Sequence, residues 1–268
     1  MKRLPFHRIM KKVLLEAFSN KSLHPDQLAQ KILQSSRRPC GKEERPHLKH
    51  LIQQREISSL LHFTALDNVP SICHFGLIPR DLLKEEPIMM YLNAQFSDDF
   101  RYENKEECNC LSVSFPNYKM FYRKQQDYNR RWAVIEFDVD VITELWAEFC
   151  PTNAANRGRV PIYSGVRGLK WQFLSDDIRA ELELPDELTT DPQAEVLCDS
   201  VIDPRYIRSV NVRYNEDVDW LANHHVHATV NEHFFRARYD FNFWKGRSIK
   251  DFINFEHLDS TGSGEHYG

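Results

Sequence analysis

The sequence predicts an α+β fold. Strand-like and helix-like stretches follow one another without a regular βα alternation, which argues against a doubly wound parallel sheet. Glycine is scarce, nine in 268 residues, and no GxGxxG or GxxxxGK occurs, so a Rossmann or P-loop reading has no support. The clearest strand is "WAVIEFDV" (132–139), where Val134, Ile135 and Phe137 form an apolar run.

In chain order, "HRIMKKVLLEAF" (7–18) and "HPDQLAQKILQSS" (24–36) carry helical apolar spacing, and Pro25-Asp26 suits a helix start. "RRPCGKEERP" (37–46) is a polar linker, and "HLKHLIQQRE" (47–56) a short helix leading into the strand "SSLLHFTAL". "VPSICHFGLIP" reads as a short helix stopped by Gly76, and 81–109 as a long charged loop with a helical turn. "CLSVSF" (110–115) alternates as a strand, and Pro116-Asn117 starts the helix "YKMFYRKQQDYNRR". Residues 141–149 are expected to be helical, 150–166 a loop, and 166–180 helical. The strand after "TTDP" begins at Glu195, "IRSVNVRY" (207–214) is a further strand, and "DVDWLANHHVHATVNEHFFRARYDF" (217–241) has helical period. The tail "STGSGEHYG" is expected to be disordered. Three regions follow: a basic helical N-terminal extension (1–50), the main domain (51–255) and a tail (256–268).

Charge sharpens that division. Residues 1–57 hold 13 Lys/Arg against 5 Asp/Glu, a net of +8, whereas the whole chain is −4, which leaves −12 for the remainder. A basic arm on an acidic body suits phosphate or an acidic partner, and equally a helical appendage with a solvated basic face. No apolar run reaches the roughly 20 residues of a membrane helix, so no membrane partner is expected. The basic, amphipathic start lacks an h-region and a cleavage site, and six unpaired cysteines suit a reducing cytoplasm. "HHVH" (224–227) with His233 has no matching carboxylate or Cys, and "CNC" (108–110) lacks a second pair, so no metal is expected.

Three stretches carry candidate chemistry. "LLHFTALDNVPSICHFGLIPR" (60–80) interrupts an apolar strand with His62 and Thr64, which a period of two places on one face. A satisfied core His and a strand Thr would give the same pattern. "CLSVSFPNYKMFYRK" (110–124) is an aromatic, basic helix start that would also suit plain packing. "LPDELTTDPQAEVLC" (184–198) puts the carboxylate of Glu195 at the mouth of an apolar strand, where lost hydration must be repaid.

Taken in this order, these segments resemble the DarT-type nucleic-acid ADP-ribosyltransferases, the toxins of toxin–antitoxin pairs. The resemblance runs from about residue 57 to about 245, and "HFT…DN…SI…GL" with "DPQAEVL" is its most specific part. It implies an ADP-ribosyltransferase fold, two small antiparallel sheets around an NAD cleft, and transfer of ADP-ribose from NAD to a base of single-stranded DNA. It implies a donor site from His62, Phe63, Thr64, Asn68 and Ser71, with Gly76 and Leu77 allowing close backbone approach and Tyr118 and Met120 lining the nicotinamide side. Glu195 matches the family's catalytic glutamate; Arg101 fits the spacing of its catalytic Arg, with Arg80 as a rival. The loop 150–194 would read the substrate, and the implied partner is a macrodomain antitoxin that removes ADP-ribose. The N-terminal extension lies outside the resemblance.

The chemistry of the residues fits these roles. Breaking the nicotinamide–ribose bond builds an oxocarbenium-like cation, and a carboxylate fixed beside the ribose stabilises it. A guanidinium stays charged, so Arg101 suits a deprotonated base or a phosphate better than proton transfer. Arg157, Arg159, Arg167 and Arg179 would guide the strand, with Trp171 stacking on bases. Two other classes stay open: an ADP-ribosyltransferase acting on RNA or protein, and a non-catalytic NAD or nucleic-acid binding module in which Glu195 is structural.

Overall fold

The computed structural model describes residues 4–19, 23–35, 37–85, 88, 92, 107–155, 160–255 and 258. The helices are α1 (Leu4–Ser19), α2 (Pro25–Ser35), α3 (Glu44–Gln54), α4 (Val69–Phe75), α5 (Arg80–Leu83), α6 (Tyr118–Asp127), α7 (Asp140–Glu144), α8 (Gly165–Trp171), α9 (Asp176–Glu181), α10 (Asn215–Ala222) and α11 (Phe241–Trp244). The strands are β1 (Ser59–Ala65), β2 (Asn109–Val113), β3 (Trp132–Asp138), β4 (Ala147–Cys150), β5 (Tyr163–Ser164), β6 (Glu195–Cys198), β7 (Ile207–Val212) and β8 (Thr229–Val230).

The α+β expectation holds, but the strands do not form two separate antiparallel sheets. Among the described residues they make one eight-stranded mixed sheet, in the order β5-β4-β6-β2-β1-β3-β7-β8, with only β7–β8 parallel. The join is β2. Its last residues pair with β1, Leu60 with Val113 and Leu61 with Ser112, while Asn109–Leu111 pair with β6. Beyond Leu61, β1 continues along β3 alone as far as Ala65. The sheet therefore forks between β1 and β2.

The alternation of β1 serves two cores. Leu60 faces the main core with Ile135, Phe137, Val196 and Phe149, covered by Leu48, Leu51 and Ile52 of α3 and Leu169 of α8. Leu61 and Phe63 face Phe121 of α6 together with Trp132 and Val134. A third cluster joins Leu14 and Phe18 of α1 and Leu28 and Ile32 of α2 to Phe75, Ile78, Leu82 and Val201 of the body. The helical N-terminus is thus docked, and Leu48, Leu51 and Ile52 of α3 pack in the main core. The expected linker is pinned as well: Pro39 bridges Leu145, and Arg38 pairs with Asp199 at 2.6 Å.

Three helix expectations change. Within 141–149 the helix ends at Glu144 and Ala147–Cys150 becomes β4, because pairing with β6 outweighs the helical spacing. The 166–180 stretch breaks into α8 and α9 around Ser175, whose φ is +68°. The helix expected over 217–241 stops at Ala222. His225 adopts φ +59°, and the bonds Val226 N–H to Leu221 O and His225 N–H to Ala222 O close a Schellman turn. The tail expected to be disordered lies outside the described residues.

Candidate active site

Glu195 begins β6, which is paired on both sides, by β2 and β4. Its side chain is buried, and Oε2 accepts from the Ala154 N–H at 3.2 Å. Gln172 fixes the backbone beneath it, donating to Glu195 O at 2.8 Å and to Cys150 O at 3.3 Å. A carboxylate placed this way is held by the fold rather than by a flexible loop.

The segment before it is fixed too. Asp191 is fully buried, and its Oδ2 accepts from Thr152 Oγ1 at 2.7 Å and the Ile249 N–H at 2.8 Å. Arg238 donates to Thr189 O at 2.8 Å and Thr190 O at 3.0 Å while pairing with Asp240. Arg179 donates to Leu188 O at 2.6 Å and Pro185 O at 3.0 Å. This corrects two expectations. Arg179 is consumed by carbonyls in the interior and guides no strand. Trp171 is buried against Phe255 and Tyr163 and offers no face to a base. Arg167 lies over the Tyr163 ring at 3.9 Å. Arg101, Arg157 and Arg159 lie outside the described residues.

His62 sits at the fork of the sheet. Its Nδ1 lies 2.9 Å from Cys110 O, and since a carbonyl only accepts, Nδ1 carries a proton and donates it to this bond. Next to it, Phe63 stacks on Phe121 with ring centroids 4.6 Å apart. The fork opens into a cavity of about 1010 Å³ whose lining includes His62, Phe63, Tyr118, Met120 and Glu195. Residues expected in one site from three distant stretches therefore share one wall.

The remaining donor-site expectations lie off this lining. Thr64 Oγ1 accepts from Asn68 Nδ2 at 3.0 Å, and Ser71 Oγ donates to Asn68 O at 2.9 Å, a relay closing the turn after β1. Gly76 has φ +87°, and a Cβ there would meet Ile202 O at 2.5 Å. The close approach it allows is to Ile202, which exchanges backbone hydrogen bonds with Leu77. Arg80, the first residue of α5, is buried and is not among the cavity-lining residues.

Two polar groups at the cavity wall were not foreseen as a pair. Asn117 caps α6, its Oδ1 accepting from the Met120 N–H at 3.1 Å, but its buried Nδ2 makes no hydrogen bond among the described residues. The buried Tyr118 hydroxyl likewise makes none. Burial, reinforced by Asp240, pushes the Tyr118 phenol well above its usual range, so it stays a protonated donor. Such donors suit a donor substrate rich in phosphate and hydroxyl oxygens. The charge agrees: among the described residues, Lys119, Arg123, Lys124, Arg236 and Lys245 line the cavity against the one carboxylate of Glu195. Asn117 was legible only as a helix start, and Arg238 carried no local signal at all. Among the described residues no group of His, Cys, Asp and Glu is arranged to hold a metal ion, and no helix is long and apolar enough to cross a membrane.

Residues 61–240 match a family model described as ssDNA thymidine ADP-ribosyltransferase, DarT. The chain belongs to the DarT family. The family model's description makes residues 61–240 an ADP-ribosyltransferase domain of the kind that acts on single-stranded DNA. Among solved structures, this DarT chain is similar to Thermosipho africanus DarTG in complex with ADP-ribose, at 17% identity and a TM-score of 0.48, covering 66% of this chain and 50% of that one. The match thus spans half the length of that protein. It is also similar to Thermus sp. 2.9 DarT in complex with carba-NAD+, at 11% identity and a TM-score of 0.48, covering 68% of this chain and 99% of that one. The same Thermus protein in complex with ADP-ribosylated ssDNA matches at 11% identity and a TM-score of 0.48, covering 68% and 97%. No curated protein matches the sequence.

Proposed function

We propose that this DarT protein transfers ADP-ribose from NAD to the thymine base of single-stranded DNA, with Glu195 as the catalytic carboxylate. The observation that carries the reading is the position of Glu195. It is a buried carboxylate at the start of a strand paired on both sides, opening into the same cavity as His62. The bond from ribose C1′ to nicotinamide breaks, and the developing cation is met by a charge already in place, which needs no reorganisation at the moment of reaction. His62 and the Tyr118 hydroxyl hold the donor, and Met120 borders the nicotinamide.

The acceptor chemistry follows from thymidine itself. N1 is already glycosylated, so N3 is the remaining ring nitrogen; it attacks C1′ as nicotinamide departs with the bond's electrons, and the N3 proton passes to solvent. Arg101, outside the described residues, is proposed to stabilise the deprotonated base or clamp a phosphate. The role as toxin of a toxin–antitoxin pair, opposed by a macrodomain that removes ADP-ribose, rests on the sequence resemblance, as does a place in phage defence.

The test is to incubate the protein with NAD and, separately, single-stranded DNA, duplex DNA, RNA and protein, following ADP-ribose incorporation by mass. Incorporation confined to thymidine-bearing single strands is expected. Incorporation into RNA or protein instead would move the acceptor, and nicotinamide release with no acceptor at all would remove the transferase reading.

A further inference from the structure

Six large apolar side chains are prominently exposed among the described residues: Tyr122, Tyr214, Val230, Tyr239, Phe241 and Phe252. Two of them, Tyr122 (66% exposed) and Phe241 (43% exposed), line the cavity that holds Glu195. Exposed rings scattered singly are ordinary, but exposed rings gathered at one cavity mark a binding surface. These two belong to α6 and α11, which are tied together: Lys119 Nζ donates to Trp244 O at 2.9 Å and Arg247 O at 2.8 Å. Lys119 and Tyr122 are three residues apart on α6, as are Phe241 and Trp244 on α11, so each ring lies one helical turn from the tie.

Cations flank the rings. Arg123 follows Tyr122 and Lys245 follows α11; both are exposed, both line the cavity, and neither makes an ion pair among the described residues. Two exposed rings and two unpaired cations at the opening, above a deep wall of buried donors, separate the site into two zones. The deep zone suits a donor substrate withdrawn from water. The opening suits a polyanion with flat apolar faces, which is a single nucleic-acid strand.

We propose that Tyr122 and Phe241 form a stacking mouth for the bases next to the modified thymidine, with Arg123 and Lys245 neutralising the phosphates between them. The inference rests on the DarT reading and adds how this chain selects a single strand. A duplex keeps its base faces stacked inside and has none to offer the mouth. Phe241 and Lys245 also lie just past the region matched to the family, at 61–240, so the mouth is partly built by this chain's own C-terminal segment.

The test uses steady-state transfer to a single-stranded oligonucleotide with one thymidine, with NAD affinity measured in parallel by calorimetry. Removing one stacking ring, in Tyr122→Ala or Phe241→Ala, should raise KM for the oligonucleotide by about tenfold, and removing both should raise it further. Tyr122→Phe keeps the ring and should stay within about twofold of wild type. Replacing Arg123 and Lys245 by Ala should flatten the salt dependence of KM by about 0.7 in log–log slope per lost phosphate contact. Tyr214→Ala, an exposed ring outside the cavity, is the control and should leave KM unchanged. An unchanged oligonucleotide KM in the double ring variant, with wild type active, overturns the mouth and leaves the DarT reading standing. A parallel loss of NAD affinity also overturns it, since the rings would then hold the donor. A wild-type protein that modifies no single-stranded DNA overturns both.

Discussion

Arg238 and Asp240 form a buried two-pronged ion pair, with Nη2 to Oδ2 at 2.5 Å and Nε to Oδ1 at 2.7 Å. Arg238 also joins the C-terminal segment to the segment that precedes β6. The same guanidinium holds Thr189 O and Thr190 O, and Asp240 also accepts from Trp244 Nε1 at 2.8 Å. A charge so deep is tolerated only when paired and hydrogen-bonded. Arg238→Ala should therefore destabilise the protein by about 3–5 kcal/mol, because it leaves Asp240 buried without a counter-charge. Arg238→Lys should recover little, since an ammonium cannot serve the carboxylate and two carbonyls together. A denaturation midpoint near that of wild type in the Ala variant would show that the pair holds nothing.

Glu195→Gln keeps the shape and removes the charge. The protein should fold, melt near the wild-type temperature and bind NAD, while transfer to single-stranded DNA falls about a thousandfold, equivalent to roughly 4 kcal/mol of transition-state stabilisation. A purely structural Glu195 gives the reverse, a lower melting temperature with turnover per folded molecule near wild type. Measuring melting and turnover on one preparation separates the two.

Glu144 gives the pH test. Its carboxylate accepts from the Tyr206 hydroxyl at 2.7 Å and pairs with Arg205 and Arg37. The Tyr206 hydrogen bond, helped by the two arginines, holds its carboxyl below the ordinary value of 4.5. A depressed folded value adds stability that is present above the unfolded one and lost as pH falls through the folded one. Glu144→Gln should thus cost no more than about 1 kcal/mol at neutral pH, discounted for solvent exposure, and the gap to wild type should close below about pH 4.5. A gap that does not shrink at all as pH falls below about 4.5 would mean the charge is not its source.

The N-terminal helices supply the fourth test. The salt bridges Lys11–Glu85 (2.5 Å) and His74–Asp26 (3.5 Å) flank the apolar contact of Leu14, Phe18, Leu28 and Ile32 with the body. Deleting residues 1–35 should lower the melting temperature and promote aggregation, because it uncovers Phe75, Ile78, Leu82 and Val201. The electrostatic proposal for this basic extension is tested without unfolding by Lys42→Gln with Lys49→Gln, two exposed lysines. That variant should flatten the salt dependence of single-strand binding and melt like wild type. An unchanged slope would confine the extension to a packing role.

Strands β1, β3 and β7 were legible because each is long enough to carry its own period, and β6 because Val196, Leu197 and Cys198 follow the turn signal Asp191-Pro192. Strand β4 was not: its four residues follow a helix directly, and only the partner β6, some fifty positions away, decides between the two periods. The fork had no local signal either, since it depends on β2 changing partner part-way along. Glu195 could be found because a carboxylate at the mouth of a buried strand contradicts its surroundings in sequence alone. Asp191 could be read only as a turn residue, because its partners Thr152 and Ile249 lie 39 and 58 positions away. Arg179 and Trp171 looked like surface tools for nucleic acid because residue type says nothing of burial. Packing alone sends them inward.

The bonds from Asp191 to Ile249 and from Arg238 to Thr189 and Thr190 also set an order of events during synthesis. The ribosome delivers β6 long before it delivers residues 238–249, so the segment leading to Glu195 emerges without the groups that fix it. A growing chain therefore lacks a finished site until its last described turn has left the exit tunnel.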